Sequence, residues 1–404
     1  MISLDDIHKA RRRIRDHVLL TPCSRAVRLG GRLGCELFLK LENLQITGSF
    51  KVRGAFSRML LLGAAERAAG VIAASAGNHA QGVACAARQL GIRAAIVMPE
   101  TAPLAKVRGT QAFGAEILLH GGGYDAAFVR AQALQQERGA AFIHAFNDPA
   151  VIAGQGSIGL EILEQMGDVD LVVVPVGGGG LIGGIAAAIK ETRPGVRVVG
   201  VQSARVPAMQ ASLLAGQIQP LAAANTIADG ISVARVGELT FPLAQHYVDA
   251  VVTVGEEEIA QAIMLLLEEE KLLAEGAGAV ALAALMHQRI DAAAGRRVVA
   301  VISGGNIDTI DLTKILERGL EQDQRLARLR VVTPDMPGAI ADLTRIIAGQ
   351  RANILEIHQN RHAAEVNLRE AEVDLILETR GQDHVRAIVA ALTGAGYPLK
   401  GVSG

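Results

Sequence analysis

One lysine, Lys51, has the sequence surroundings that a reactive amine would need. It follows Gly48 and Ser49 in the stretch ITGSFKVRGA (46–55), and it lies between a phenylalanine and a valine. An amine held among apolar groups has a lowered pKa, and it can then act as a nucleophile and a base near neutral pH. Taken alone, the stretch is better explained by a surface charge, or by a core lysine whose amine reaches water. Other loops must therefore supply the reason to expect chemistry here.

A glycine-rich stretch, DLVVVPVGGGGLIGGIAAAIK (170–190), has the composition of a phosphate-binding loop. Its apolar run predicts a buried strand, and the glycines lead into a helix. Glycine lets the backbone approach an anion, and the unpaired N–H groups of a helix N-terminus favour negative charge. The pattern G-x-G-x-x-G is present, but Gln202 stands where a dinucleotide site would carry an acid, and no Walker G-K-[ST] follows. The loop therefore favours a smaller phosphorylated molecule.

Two more polar turns, SAGNHAQG (75–82) and VISGGNID (301–308), follow apolar runs. The first opens a helix and offers N–H groups and short polar side chains to a carboxylate, although a simple capping turn would explain part of it. The second is, alone, only a turn. Because ligands bind at the carboxyl ends of parallel strands, the three loops together predict one composite site. With Lys51, that site favours pyridoxal 5′-phosphate held as a Schiff base.

The elements that must position these loops are predicted by seven apolar runs separated by helical stretches. The runs do not alternate with polar residues, which indicates a parallel sheet covered by helices on both faces, an α/β fold. After a charged segment, the pattern changes to a βαββαβ order typical of an α+β ferredoxin-like domain. We predict a catalytic domain over 1–320 with a smaller subdomain over about 45–150, a linker over 321–327 and a second domain over 328–404.

Composition argues against several classes of protein. The 404 residues carry 40 Lys and Arg against 41 Asp and Glu, which gives no reason to expect nucleic acid or an anionic membrane as a partner. Three scattered cysteines lack metal-binding spacing, so we expect reduced thiols and no metal site in a cytoplasmic protein. An uncharged run over 171–189 is long enough to span a membrane, but Pro175 and the glycines favour a strand, a loop and a helix.

Four motifs, TGSFKVRGA, SAGNHAQG, PVGGGGLIGG and ISGGN, occur in the order found in the fold type II pyridoxal-phosphate enzymes of the tryptophan synthase β family. The chain is most similar to the threonine dehydratases (threonine ammonia-lyases) over roughly residues 5–320, and its tail, with DMPG and NILEI, resembles an ACT regulatory domain. The resemblance implies a homodimer or homotetramer that converts L-threonine to 2-oxobutanoate and ammonia, or L-serine to pyruvate. An amino acid or a nucleotide would be its effector.

The resemblance also implies a role for each matching residue. Lys51 would hold pyridoxal 5′-phosphate and remove the substrate Cα proton, with Ser75 as the second catalytic residue. The ring would contact Phe50, Asn78 at its hydroxyl, and Ser303 at its nitrogen. The phosphate contacts would be Gly177, Gly178, Gly179, Gly180 and Leu181. The substrate carboxylate would be bound by Ser75, Ala76, Gly77, Asn78 and His79.

Two further consequences follow from these assignments. A serine hydroxyl cannot keep the pyridine nitrogen protonated as a carboxylate would, so the ring becomes a weaker electron sink and loss of a β-hydroxyl is favoured over transamination. In the tail, a branched-chain amino acid or a similar small effector is expected near Gly338 and Asn353.

Several alternatives stay open from the sequence. A serine racemase or a hydroxyaspartate dehydratase would share the lysine and the glycine loop. A cysteine synthase fits less well, because such enzymes carry an acid after the lysine where this chain has Val52. The segment HAFND (144–148) departs from the family pattern. The resemblance therefore does not assign the residues that face the substrate in this segment. A non-catalytic amino-acid sensor is the alternative from a different class.

Overall fold

The computed structural model describes residues 1–290, 294–361 and 367–403. Two compact units, 1–308 and 309–404, divide the chain. This division differs from the predicted boundary at 320 and linker over 321–327. The charged segment over 316–330 begins in the amphipathic helix Thr309–Gln322 and ends in the strand Leu326–Pro334, and the helix packs on that strand and buries Ile315.

The first unit contains ten strands and thirteen α-helices among its described residues. The strands are β1 (Cys23–Arg25), β2 (Glu36–Leu41), β3 (Val71–Ala74), β4 (Ala94–Met98), β5 (Glu116–Leu119), β6 (Ala141–Phe142), β7 (Leu171–Pro175), β8 (Arg197–Ser203), β9 (Ala250–Val254) and β10 (Arg297–Ile302). The helices are α1 (Leu4–Ile14), α2 (Val27–Leu33), α3 (Lys51–Met59), α4 (Ala64–Ala69), α5 (Asn78–Leu90), α6 (Leu104–Gln111), α7 (Tyr124–Arg138), α8 (Pro149–Met166), α9 (Gly180–Thr192), α10 (Ala208–Ala215), α11 (Thr240–Tyr247), α12 (Glu256–Glu270) and α13 (Gly276–Met286).

Two sheets organise the first unit. The larger has the strand order β1-β2-β10-β7-β8-β9, and every pair is parallel except β1 with β2. The smaller, β5-β4-β3-β6, is parallel throughout. Strands buried on both faces need unbroken apolar sequence, and every residue of β3, β4 and β7 is buried. The predicted parallel α/β architecture is confirmed, and the smaller sheet lies within the predicted smaller subdomain.

Helices α8 and α9 pack closely over the larger sheet. Gly156 on α8 allows this approach, because a Cβ atom there would lie 2.9 Å from the carbonyl oxygen of Gly184 on α9. The uncharged run over 171–189 therefore forms β7, a loop and most of α9, as predicted. Among the described residues, no helix is both long and apolar enough to cross a membrane.

The second unit has the predicted βαββαβ order after its first helix. Its elements are α14 (Thr309–Gln322), β11 (Leu326–Pro334), α15 (Ala339–Gly349), β12 (Asn353–Asn360), β13 (Glu370–Glu378), α16 (Gln382–Gly394) and β14 (Leu399–Ser403). The strands form an antiparallel sheet in the order β12-β13-β11-β14. Apolar residues of the strands and of helices α15 and α16 form its core.

Candidate active site

One cavity brings together most of the residues that the motifs singled out. It lies where β7, β10 and the start of α3 meet. Phe50, Lys51, Asn78, Ser303 and the loop over 177–181 all line it. Ala145 and Phe146 of the HAFND segment and Pro175 before the glycine loop also line it, and residues that the sequence did not single out complete the wall: Gly230, Ile231, Val233, Glu275 and Ala277.

Lys51 is the first residue of α3, and the turn before it is held in place by the loop that follows β10. The N–H of Phe50 donates to the carbonyl of Ser303 at 3.1 Å, and Gly305 donates to Gly48 at 2.9 Å. Gly48 has a φ of 68°, a left-handed conformation that favours glycine. These bonds fix the position at which the Lys51 side chain enters the cavity.

The Lys51 amine is surrounded by protein atoms and has few polar partners. It donates to the carbonyl of Ala145 at 3.3 Å and lies 5.1 Å from the centre of the Phe50 ring. Burial lowers the pKa of Lys51 to about 8, although the negative charge of Glu275 opposes that shift. The amine is therefore appreciably neutral near physiological pH, as a nucleophile or base requires.

The glycine loop presents backbone donors to the same cavity. Helix α9 begins at Gly180, and Gly179 before it has a φ of 95°. Among the described residues, the N–H groups from Gly178 to Leu181 find no acceptor, as is usual for the first turn of a helix. A Cβ atom at Gly178 would lie 2.5 Å from the Phe146 ring, so this position has no room for a side chain. The loop can accept an anion at this edge.

The turn over 75–79 contributes to the cavity only through Asn78. Ser75, Ala76 and Gly77 are half-buried and are not among the described residues that line it. The Ser75 hydroxyl accepts a hydrogen bond from the Gly77 N–H at 3.1 Å, which shapes the turn. The buried His79 ring donates from Nε2 to the carbonyl of Ile143 at 2.8 Å, and His79 is not among the described residues that line the cavity.

A chain of polar side chains joins the loops around the cavity. Asn78 Nδ2 donates to Glu275 Oε1 at 2.6 Å, and Asn78 Oδ1 accepts from Asn306 Nδ2 at 2.8 Å. Asn306 Nδ2 also donates to the carbonyl of Thr47 at 2.7 Å. The Asn78 amide, predicted to contact the cofactor ring, therefore has protein partners on both of its polar atoms.

Glu275 is the main residue of the site that the motifs did not predict. It precedes α13, is only 4% exposed, and is the only charged residue between Leu272 and Met286 in the sequence. Burial raises its pKa to about 7, helped by Asp229 and opposed by Lys106, Asn78 and Lys51. A lone acid within an apolar run was the signal that could have indicated it.

Two histidines near Lys51 stay uncharged. Burial and the nearby Lys51 amine lower the pKa of His79 to about 3 and that of His144 to about 4. His144 Nδ1 accepts the N–H groups of Phe146 and Asn147, at 3.2 and 2.9 Å. The HAFND segment thus forms a turn around a neutral imidazole, which places Phe146 in the cavity wall.

Beneath α3 lies a buried cluster of four charges that the sequence did not predict. Arg53 donates to both carboxylate oxygens of Glu42, at 2.8 and 2.9 Å, and to those of Glu161, at 2.6 and 2.9 Å. Lys40 donates to Glu161 at 2.6 Å. Two cations thus balance two anions, and they anchor the helix that begins with Lys51.

The two residues predicted near an effector lie at opposite ends of α15. Gly338 caps the N-terminus of this helix with a φ of 94°, and Asn353 starts the strand after it. An eleven-residue helix is about 16 Å long. Asn353 lines a shallow cavity with Thr344 and Arg345, whereas Gly338 is not among the residues described there.

Comparison with known proteins agrees with this geometry. The family model described as "Pyridoxal-phosphate dependent enzyme" matches residues 14–304. The L-threonine ammonia-lyase of Thermotoga maritima is 48% identical over 400 residues, which cover 99% of both chains. The solved threonine deaminase isoform 2 of Solanum lycopersicum, in its processed form, is 40% identical with a TM-score of 0.74, covering 78% of this chain and 86% of that one. The solved maize serine racemase is 34% identical with a TM-score of 0.75, covering 80% and 99%. The chain belongs to the pyridoxal-phosphate dependent enzyme family.

Proposed function

We propose that this chain is an L-threonine ammonia-lyase, which converts L-threonine to 2-oxobutanoate and ammonia and also converts L-serine to pyruvate. The observation that carries the proposal is the meeting of the Lys51 amine and the glycine loop in one cavity. The identity of 48% to the Thermotoga maritima enzyme, over nearly the whole of both chains, supports the choice of reaction.

The residues of the cavity fit pyridoxal 5′-phosphate. Its phosphate needs several donors, and the unpaired N–H groups between Gly178 and Leu181 offer them at the start of α9. Its aldehyde needs a neutral amine, which Lys51 supplies. Phe50, Asn78 and Ser303 would face the ring. When bound, the cofactor supplies an electron sink for the Cα carbon of an amino acid.

Lys51 acts as the base at the substrate Cα in this proposal. Its Nζ atom is neutral above about pH 8 because burial lowers its pKa, and it can therefore accept the Cα proton. The 3.3 Å bond to the Ala145 carbonyl orients this atom. The two neutral histidines nearby add no positive charge that would further lower the basicity of the amine.

The start of α5 holds the substrate carboxylate in this proposal. The N–H groups of Asn78 and His79 have no acceptor among the described residues, and they lie at a helix N-terminus, where negative charge is favoured. The Ser75 hydroxyl is half-buried at the same turn and could move toward a bound carboxylate by giving up its bond to Gly77.

Ser303 would favour elimination over transamination. Its hydroxyl is buried and donates to the carbonyl of Ala277 at 3.3 Å. A neutral hydroxyl does not hold a proton on the pyridine nitrogen as a carboxylate would, so negative charge is less delocalised into the ring. A short-lived negative charge at Cα promotes prompt loss of a β-substituent.

A panel of substrates tests the reaction and its alternatives. The full chain with pyridoxal 5′-phosphate is given L-threonine, L-serine and hydroxyaspartate, and the release of each keto acid is measured together with the formation of D-serine. We expect L-threonine to give the highest kcat/KM. Faster turnover of hydroxyaspartate, or D-serine formation faster than pyruvate release, would favour one of the two alternatives. Lack of visible cofactor absorbance would favour a sensor.

We also infer that the second unit is an ACT-like regulatory domain. The support is its βαββαβ order and its antiparallel sheet, together with the DMPG and NILEI motifs. Because α15 separates Gly338 from Asn353, an effector that contacts both residues would have to lie between two copies of the chain, in a homodimer or homotetramer.

Titration with L-isoleucine or L-valine tests this regulation. The rate of 2-oxobutanoate release by the full chain should change with the concentration of one of them. Asn353→Ala should shift the concentration at half-maximal response, whereas Thr393→Ala, on helix α16 in the same unit, should not. An unchanged rate with every branched-chain amino acid would contradict the proposed effector.

A further inference from the structure

We propose that Glu275 is a second catalytic residue, which donates the proton that lets the β-hydroxyl of the substrate leave as water. This inference rests on the proposed function and extends it. A hydroxide ion is a poor leaving group, so a positioned acid should speed the breaking of the Cβ–O bond. Lys51 is used as the base, and Ser75, the other catalytic residue implied by the motifs, is not among the described residues that line the cavity.

The carboxyl group of Glu275 is positioned to give a proton into the cavity. It lines the same cavity as Lys51. Its Oε1 atom accepts a hydrogen bond from Asn78 Nδ2 at 2.6 Å, whereas Oε2 has no partner among the described residues. Since Oε1 is used as an acceptor, the proton of the neutral acid belongs on Oε2.

The groups around Glu275 raise the pKa of its carboxyl group, so it stays neutral to a higher pH than an exposed acid does. Glu275 comes directly before α13 but makes no side-chain bond to cap that helix, and it points to Asn78 instead. The charged groups that act on it are Lys51 from α3, Lys106 from α6 and Asp229. Lys106 and Asp229 form an ion pair, so each largely offsets the charge of the other. Burial then dominates and raises the pKa of Glu275 to about 7.

Lys51 and Glu275 together account for every proton that moves in the elimination step. Lys51 Nζ takes the Cα proton, and the electron pair of that bond forms the Cα–Cβ double bond. The Cβ–O bond breaks with its electron pair on oxygen, and this oxygen takes the proton from Glu275 Oε2 and leaves as water. Lys51 has then gained one proton and Glu275 has lost one, so that a net transfer of one proton through water restores both residues.

Two substrates that differ only in their leaving group test the role. L-serine must lose hydroxide, whereas β-chloro-L-alanine loses chloride, which needs no proton. We expect Glu275→Gln to lower the kcat for pyruvate release from L-serine by about a hundredfold or more, and that from β-chloro-L-alanine by less than about threefold. An equal loss with both substrates would overturn the proposal.

Two further readouts separate an acid from a residue that merely shapes the site. Glu275→Gln should keep the visible absorbance of the bound cofactor, and it should still exchange the Cα proton of L-serine with deuterium from D₂O. Loss of that exchange would mean that Glu275 acts before elimination, which would contradict the role. If the wild-type chain formed no 2-oxobutanoate from L-threonine but processed both test substrates, the proposed function would fail and this inference would stand.

Discussion

At the scale of single residues, the decisive property is that the half-buried Lys51 has no ion-pair partner among the described residues. Lys51 has a carbonyl and an aromatic ring as its neighbours, while Glu275 acts on it only through space. Lys40, which is fully buried, is held by Glu161 in a charged cluster. The two lysines therefore differ in their surroundings, since Lys40 is neutralised by a carboxylate, whereas the amine of Lys51 is the one proposed to react.

We predict that Lys51 reacts with amine reagents at a pH where exposed lysines do not. In cofactor-free protein, the rate of its modification by trinitrobenzenesulfonate should be half-maximal near pH 8, where half of the amine is neutral, and should level off at higher pH. Lys9, whose pKa is raised by its hydrogen bond to Asp5, should still gain reactivity as the pH rises beyond about 10. Peptide mass spectrometry measures both residues in one sample. Parallel profiles for the two lysines would contradict a lowered pKa at Lys51.

The residues that the sequence indicated lie in short motifs, whereas those that it missed join the site through contacts with residues far away in the chain. Lys51 and the glycine loop belong to short motifs, so the sequence alone was sufficient to single them out. Glu275 meets Asn78 across 197 positions of the chain, and no local pattern carries that pairing. The same applies to Arg53 and Glu161, which are 108 positions apart. Tertiary contact, and not residue type, makes these groups part of the site.

At the scale of elements, the glycine loop works because side chains are absent from it. We predict that Gly178→Ala raises the Kd of pyridoxal 5′-phosphate by about 10- to 100-fold, since overpacking costs about 1–3 kcal/mol and the new Cβ atom would meet the Phe146 ring. Gly195→Ala is the matched control, because no atom lies within 4 Å of its Cβ position. Equilibrium titration of cofactor-free protein measures both. Equal Kd values of pyridoxal 5′-phosphate for the two variants would show that the loop can accommodate a methyl group at residue 178.

The buried charges under α3 make a separate prediction about stability. Arg53→Leu leaves Glu42 and Glu161 short of a positive charge, and removal of one partner from a buried ion pair costs about 3–5 kcal/mol. Arg25→Leu, which breaks an exposed pair with Glu36, should cost less than about 1 kcal/mol. Urea unfolding measures the difference. A small loss for Arg53→Leu would mean that the cluster is not needed to stabilise α3.

In the first unit, strand prediction succeeded where a strand has an uninterrupted apolar run followed by a polar or glycine-rich turn, and it missed three strands. All seven apolar runs contain strands, β3 to β8 and β10. Strands β1, β2 and β9 were not predicted. The buried Lys40 interrupts β2 with a charge that the ion cluster neutralises, and β1 is a three-residue antiparallel edge. Sequence patterns do not reveal a buried charge whose partner lies far along the chain.

At the scale of the whole molecule, the residues proposed for the cofactor and those proposed for the effector lie in different compact units. The cavity with Lys51 lies wholly within residues 1–308, and the proposed effector residues lie within 309–404. Residues from the three loops that the carboxyl-end rule for parallel strands places together line one cavity of the first unit. The second unit includes the amphipathic helix Thr309–Gln322, whose charged C-terminal half was interpreted from the sequence as the approach to a linker.

Removal of the cofactor should therefore affect one unit only. A ligand at a hundred times its Kd stabilises the protein by about 2.7 kcal/mol. We expect removal of pyridoxal 5′-phosphate to speed hydrogen exchange in the loops over 47–51, 75–79, 177–181 and 303–306, with no change in β11 and β13. Exchange mass spectrometry of the full chain measures this. Equal loss of protection in both units would show that they are tightly coupled without an effector.

The release of 2-oxobutanoate from L-threonine tests the central claim most directly. The wild-type full chain and Lys51→Ala are each supplied with pyridoxal 5′-phosphate, and the keto acid is measured over time. Under the proposed function, the wild-type chain turns over L-threonine and Lys51→Ala loses at least about a thousandfold in rate, because the same amine binds the cofactor and takes the Cα proton. Comparable turnover by both proteins, or none by the wild-type chain, would contradict it.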